Sequence, residues 1–376
     1  MKIYYKNWRL FLIFLFLFLS IAAIVSRMVY VQVEQGNFLL QKGNNQNTSE
    51  RVIKLKRGSI YDKNGIPLAI SITGFDLFAL SGLREDDFLK IKNTLKLNDL
   101  EYKPFNKKSL IKNSLSFEEM RKIRSLRIDR LELEKTYKRH YPLGEQVAPL
   151  VGFSGRDGYG LEGLEKSYNS ILTGKPLKER VLKDAARSTI QTLEVLEFGE
   201  NSKDIHLTID SNIQYIAYKY LVETIKNNAG TGGTVIILDN SAKEVLALAS
   251  YPSYNPNNPM RSIKKNRAFL ESYEPGSIVK PLALAGAIEK NLIDIDTELE
   301  LPIKIEVDGN IINDRKKYGQ LKAYEIIKES SQVGATQISF LLGADRLIDN
   351  YKKFGFSKPV NINFPSTSFG EINSRD

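Results

Sequence analysis

The stretch "YEPGSIVKPL" (residues 273–282) places Ser277 and Lys280 three residues apart, directly before the apolar run "LALAGAI". The spacing alone is not selective, because serine-x-x-lysine occurs three times, at Ser109/Lys112, Ser262/Lys265 and Ser277/Lys280. Context separates them. "EPG" supplies a turn ahead of Ser277, and the run behind Lys280 predicts a buried helix. Pro281 then falls in the first turn, where helix N–H groups lack an intrahelical partner, so its missing donor costs little. Ser277 is expected at a helix N-terminus, with free N–H groups and the helix dipole directed at whatever binds there. Lys280, one turn on, projects to the same side. A lysine desolvated against an apolar helix has a lowered pKa, and as a neutral amine it can accept a serine proton. Ser109 lies in a charged segment and Ser262 in a basic loop, and neither offers that desolvation. A helix-capping serine beside a snorkelling lysine fits the same local geometry. A second element shifts the balance: "EIIKESSQVGATQISFLLG", about fifty residues on, sets Ser330, Ser331 and Gln332 between two apolar-periodic stretches. A hydroxyl and a carboxamide there can enter the same cleft as Ser277.

The chain of 376 residues has room for two or three domains. Hydrophobic residues make up 42% and charged residues 26%, a globular balance. The absence of cysteine excludes structural disulfides and thiolate metal sites. With only His140 and His206, a multi-histidine metal site is disfavoured, and a Ser-His-Asp triad lacks its usual neighbours. No cofactor is expected. The net charge of +10 is spread along the chain in short runs such as "KPFNKK" and "RSIKKN". That distribution reads as solvated basic faces rather than a nucleic-acid surface.

The apolar stretch "LFLIFLFLFLSIAAIV" runs unbroken from Leu10 to Val25. With its flanks it is long enough to span a hydrocarbon core as a helix. Lys2, Lys6 and Arg9 precede it, so residues 1–9 are expected in the cytoplasm, 10–26 in the membrane and the bulk of the chain outside. Ser20-Ile21-Ala22 also resembles a signal-peptide cleavage site. Apolar character continues past it through "IVSRMVYVQV", which favours an uncleaved anchor.

Residues 41–56 read as a polar stalk. "RGSIYDKNGIPLAIS" (57–71) alternates around Asn64-Gly65 and predicts a hairpin. Residues 84–135 are charged and helical in pattern, and 139–174 are rich in glycine and turn residues. From residue 205 the texture changes. "IHLTID" predicts a strand, "SNIQYIAYKYLVETIKNN" an amphipathic helix, and "GGTVIILDNSAKEVLALASY" a hairpin turning at Asn240–Lys243. The order is that of an α+β fold with helices against an antiparallel sheet. "GYGLEG" (158–163), with Asp184 further on, matches a dinucleotide-binding pattern. It lacks the buried strand such a site needs before its first glycine.

An S-x-x-K element paired with a serine-x-asparagine type element is a signature of penicillin-binding proteins and β-lactamases. The chain resembles a class B penicillin-binding protein, most closely the septal (cell-division) peptidoglycan transpeptidases. "RGSIYDKNGIPLAIS" resembles the first pedestal motif of that family, and "RHYPLGE…VGFSGRDGYGLEGLEKSYNSILTG" the second and third. "LTIDSNIQYIAY" resembles the entry to the next domain, and "ALASYPSYNPNN" with "NRAFLESYEPGSIVKPLALAGAIE" the approach to the nucleophile. The resemblance implies a single transmembrane helix, an elongated mixed α/β pedestal over 27–200, and a partial penicillin-binding/β-lactamase-like serine transpeptidase domain over 205–376. It implies Ser277 as the acylated nucleophile, Lys280 as its general base, Ser330 as a proton relay and Gln332 as a substrate contact. The Ser277 N–H would be one oxyanion donor. Implied partners are peptidoglycan stem peptides, β-lactams, a lipid-II polymerase and other division proteins at the bacterial inner membrane.

Two departures stand out. Gln332 occupies a position where the family has asparagine, an amide one methylene shorter. No K-[ST]-G element follows it, although in the family that strand lines the far side of the cleft and supplies the other oxyanion donor. Loss of one such donor costs about 10²- to 10³-fold in rate. The chain is therefore expected to be a fragment, or the product of a disrupted reading frame. A non-catalytic division scaffold is the rival reading. A β-lactam sensor or anchored β-lactamase is disfavoured by the pedestal motifs.

Overall fold

The computed structural model describes residues 4–39, 48–53, 55–155, 157–183, 189–259 and 266–372. The expected stalk (residues 41–47 of it), Asp184 and the Ser262/Lys265 pair lie outside them. The apolar N-terminal stretch is one helix, Tyr4–Val29, continued as a single π-helical turn over Tyr30–Glu34. Its 26 residues extend about 39 Å at 1.5 Å per residue. Its large apolar side chains from Leu10 to Val29 are exposed, as lipid-facing side chains would be. Length and composition suit a membrane span.

The chain forms two compact units that interleave in sequence, the first of which includes that helix. One comprises Met1–Gly58, Ser71–Lys138 and Ser170–Asp204. Its core joins Leu77 and Ala79 of the strand Pro67–Ala79, Phe88 and Ile91 of the helix Glu85–Leu95, Ile111 and Leu115 of the strand Ser109–Leu115, and Ile123 of the helix Phe117–Ser125. The last helix starts at a capping box: Ser116 Oγ accepts the Glu119 N–H at 3.2 Å, and Glu119 accepts the Ser116 N–H at 2.8 Å. A separate antiparallel sheet orders Thr48–Ile53, Leu177–Lys183 and Thr189–Glu197.

The helical expectation for 84–135 holds for two segments and fails for two, since Ser109–Leu115 and Leu131–His140 are strands. The reason is visible at "LELE" (131–134). Leu131 and Leu133 pack on the core, while Glu132 and Glu134 both pair with Lys108, at 2.8 and 2.6 Å. That is the two-residue period of a half-buried strand. The Ser109/Lys112 pair is also explained, because Lys112 is bound to Glu119 at 2.7 Å.

The second unit comprises Ser59–Ile70, Arg139–Asn169 and Ile205–Asp376. The expected hairpin forms, with Tyr61 opposite Pro67. The buried Asp62 in its turn accepts the N–H groups of Asn64 and Ile66 at 2.8 and 2.7 Å, and the N–H and hydroxyl of Ser211 at 3.0 and 2.7 Å. Ser211 opens the helix Ser211–Asn227, capped by Asp210. The helix lays Ala217, Leu221 and Ile225 against Ala247 and Ala249 of the antiparallel hairpin Gly233–Asp239/Glu244–Tyr251. Buried Gln214 fastens it further, donating to the Leu248 carbonyl at 3.1 Å and accepting the Leu248 N–H at 2.8 Å.

A second core in this unit brings Ala283, Leu284 and Ala287 of the helix Lys280–Glu289 against Ala323 and Ile326 of Ala323–Lys328 and Val333 and Ile338 of Gln332–Leu342. In the glycine-rich block, a Cβ on Gly160 would lie 1.9 Å from the Glu165 carbonyl oxygen. Close backbone packing thus accounts for that glycine of the "GYGLEG" pattern. The helix that begins at Gly163 has only five residues.

Candidate active site

Ser277 is positioned by a bend rather than by a helix end. Gly276 has φ +65°, a left-handed conformation, and a Cβ there would meet nothing within 4 Å. The glycine therefore serves the backbone angle and not a lack of space. A 3-10 turn over Gly276–Val279 carries Ser277 and feeds the helix Lys280–Glu289, with Pro281 in its first turn as expected. Ser277 is exposed and Lys280 half-buried.

Ser330 follows the helix Ala323–Lys328. Its N–H donates to the Ile327 carbonyl at 3.1 Å and the Ser331 N–H to that of Ile326 at 2.9 Å. Ser330 itself has φ +54°. A non-glycine residue held there carries strain of about 1–3 kcal/mol and persists only where its surroundings fix it. Ser331, fully buried, caps the next helix, Gln332–Leu342: its Oγ accepts the Gly334 N–H at 2.8 Å and donates to Asp314 Oδ2 at 2.6 Å. Asp314 Oδ1 accepts the N–H groups of Gln332 at 2.5 Å and Val333 at 3.3 Å.

The two elements meet at the amine. Lys280 Nζ donates to the Ser330 carbonyl at 2.7 Å and its hydroxyl at 3.2 Å, across fifty positions of chain. Burial lowers the Lys280 pKa below its ordinary 10.5, and the Asp314 charge opposes that effect. The Lys280 amine is thus half-buried and bonded to Ser330. Among the described residues no hydrogen bond joins the Ser277 hydroxyl to this amine. Hydrogen bonds of this kind are often long before substrate is bound and tighten in the complex. Gln332 opens its helix through its backbone, and its exposed side chain has no hydrogen bond among the described residues. His206 stacks on Tyr61 at 5.1 Å between ring centroids, an assignment unrelated to a triad.

Asp314 escaped the sequence reading. It sits in a charged turn, "NDRKKYG", seventeen residues before Ser331, with no local pattern that links the two.

Comparisons with known proteins place the chain among the relatives its sequence resembles. A family model for the penicillin binding protein transpeptidase domain matches residues 233–376. One for the penicillin-binding protein dimerisation domain matches residues 52–207. The probable peptidoglycan D,D-transpeptidase PenA of Neisseria gonorrhoeae is 31% identical over 384 residues, covering 97% of this chain and 65% of the relative. The peptidoglycan D,D-transpeptidase FtsI of Escherichia coli K12 is 28% identical over 373 residues, covering 95% of this chain and 63% of the relative. The chain thus spans a little under two thirds of the length of these relatives. Among solved structures, the penicillin-binding protein PBP2 of Helicobacter pylori, seen in complex with MreC, shares the fold. Its TM-score is 0.69 at 23% identity, over 86% of this chain and 68% of that one.

Proposed function

The chain belongs to the class B penicillin-binding proteins, which join a dimerisation domain to a transpeptidase domain, and from that premise we propose that it is built for serine D,D-transpeptidation of peptidoglycan during cell division. Ser277 Oγ attacks the carbonyl carbon of the penultimate D-alanine of a stem peptide while Lys280 takes its proton. The negative charge that develops on the carbonyl oxygen is met by the Ser277 N–H. The C–N bond breaks, and the departing D-alanine amine receives a proton through Ser330. An amine of a neighbouring stem then attacks the acyl-enzyme, forms the crosslink and restores the Ser277 hydroxyl. Gln332 contacts the stem peptide. A β-lactam acylates the same serine by opening its ring.

The observation that carries this reading is the Lys280 amine, held 2.7 Å from the Ser330 carbonyl at the end of the turn that bears Ser277. A lysine kept merely for charge would sit in water. In this reading residues 1–9 are cytoplasmic, 10–26 anchor the chain in the inner membrane, 27–200 form the pedestal and 205–376 belong to the transpeptidase domain. Partners follow from the same placement: a lipid-II polymerase beside the anchor, and division or cell-shape proteins on the exported surface.

The test is covalent labelling of the full chain in detergent with a fluorescent penicillin, with the adduct located by mass spectrometry. Labelling is expected at Ser277 and is lost in Ser277→Ala. Removing the base in Lys280→Met is expected to slow it by about 10²- to 10⁴-fold. An unlabelled wild-type chain, or equal labelling of Ser277→Ala, overturns the proposal.

A further inference from the structure

The strained Ser330 turn is gripped on both flanks by one surface loop, residues 314–318. After Ser330, Asp314 binds the Ser331 hydroxyl at 2.6 Å and the Gln332 N–H at 2.5 Å. Before it, the Glu329 carboxylate receives Lys316 Nζ at 3.2 Å and the Tyr318 hydroxyl at 3.3 Å. Lys316 Nζ also lies 4.9 Å from the centre of the Tyr318 ring, so these two side chains act as one unit.

We infer that the loop 314–318 is a two-point clamp that keeps Ser330 in its left-handed conformation and so sets where the Lys280 amine sits, with Asp314 as its principal positioning residue. The inference rests on the reading of Lys280 as the base. The two grips are unequal. The Lys316–Glu329 pair is solvent-exposed, and such pairs contribute little. The bonds to Asp314 are short, charge-assisted and directed at groups whose geometry is fixed by a helix start. They act on the residue directly after Ser330. With Asp314 gone, that side keeps the Ser331 N–H bond to the Ile326 carbonyl and the Ser331–Gly334 cap but loses its charged anchor, and as the turn relaxes the carbonyl and hydroxyl that hold Lys280 Nζ move with it. Asp314 has a second effect, because its charge is the one that acts on Lys280 against the burial.

The experiment compares Asp314→Ala and Asp314→Asn with the wild-type full chain in detergent, by the rate of acylation by a fluorescent penicillin across pH and by crystal structures. In Asp314→Ala the acylation rate is expected to fall about 10- to 100-fold, the loss expected for hydrogen bonds to a charged group. In its crystal structure Ser330 leaves the left-handed region and Lys280 Nζ no longer reaches its carbonyl. Asp314→Asn recovers most of the rate, since the amide oxygen still accepts the Gln332 N–H. Its acidic limb moves to lower pH, because the charge favouring the ammonium is absent. Acylation of Asp314→Ala at the wild-type rate, or a fall in rate with Ser330 and Lys280 unmoved, overturns the clamp. Should Asp314→Ala not fold, the crystal structure of Asp314→Asn decides, and a released Ser331 hydroxyl and Gln332 N–H with Ser330 and Lys280 unmoved overturn it. If the wild-type chain is not acylated at all, the proposed function fails, and the crystal comparison alone decides the clamp.

Discussion

Arg139 and Glu165 form an ion pair at 2.7 Å with side chains 7% and 0% exposed, while Lys280 Nζ makes a bond of equal length to a carbonyl on the exposed Ser330. Bond length does not distinguish them; access to water does. In the first site Tyr141 adds its hydroxyl to Glu165 at 3.3 Å and accepts the Ser154 N–H at 2.8 Å. Burial, then the Glu165 charge, pushes the Tyr141 pKa up, so its hydroxyl stays protonated as a donor. The ion pair there is sealed from water. In the second site burial is partial, enough to lower the Lys280 pKa without silencing the amine. A group that must exchange a proton and change partner needs that intermediate setting. In the proposed mechanism, the contrast is one between a lock and a working part within the same compact unit.

The comparison breaks most visibly at Glu165. Replacing it with alanine removes the carboxylate that both Arg139 and Tyr141 bond, and breaking such a buried ion pair costs about 3–5 kcal/mol. Urea unfolding of the full chain in detergent should show that loss, and a change near zero would make the pair ornamental. The working part is sharpened by pH. If neutral Lys280 is the base, the acylation rate rises as pH passes through its pKa, and that limb must lie below the ordinary lysine value of 10.5. Below the limb the amine is protonated and cannot take the Ser277 proton. A limb at or above 10.5 contradicts the role assigned to burial. The smallest effect is expected at Gly276→Ala. The added methyl meets open space, so only the left-handed angle is penalised, by about 1 kcal/mol. A stability change of that size with slower penicillin labelling would confirm that the bend aims Ser277.

Much of the arrangement was readable because it is local. The turn before Ser277, the helix behind Lys280 and the hairpin turning at Asn240–Lys243 depend on neighbours a few residues apart, and each forms. The strand Leu131–His140 was missed although its alternation is equally local. The charged, helix-favouring residues around it masked a period of two. Asp314 was beyond such reading, since its partners lie on the far side of another strand and helix.

The linear order of residues settled the chemistry available to this protein: a long apolar N-terminal helix, a hydroxyl and an amine one turn apart, and a chain without cysteine chemistry. Those are matters of composition and short-range periodicity. Folding alone decided that Lys280 bonds to Ser330 and that Asp314 secures the turn between two helices. Contacts across such separations become favourable only once a common core, here Ala283, Ala287, Ile326 and Val333, has already closed the intervening loops.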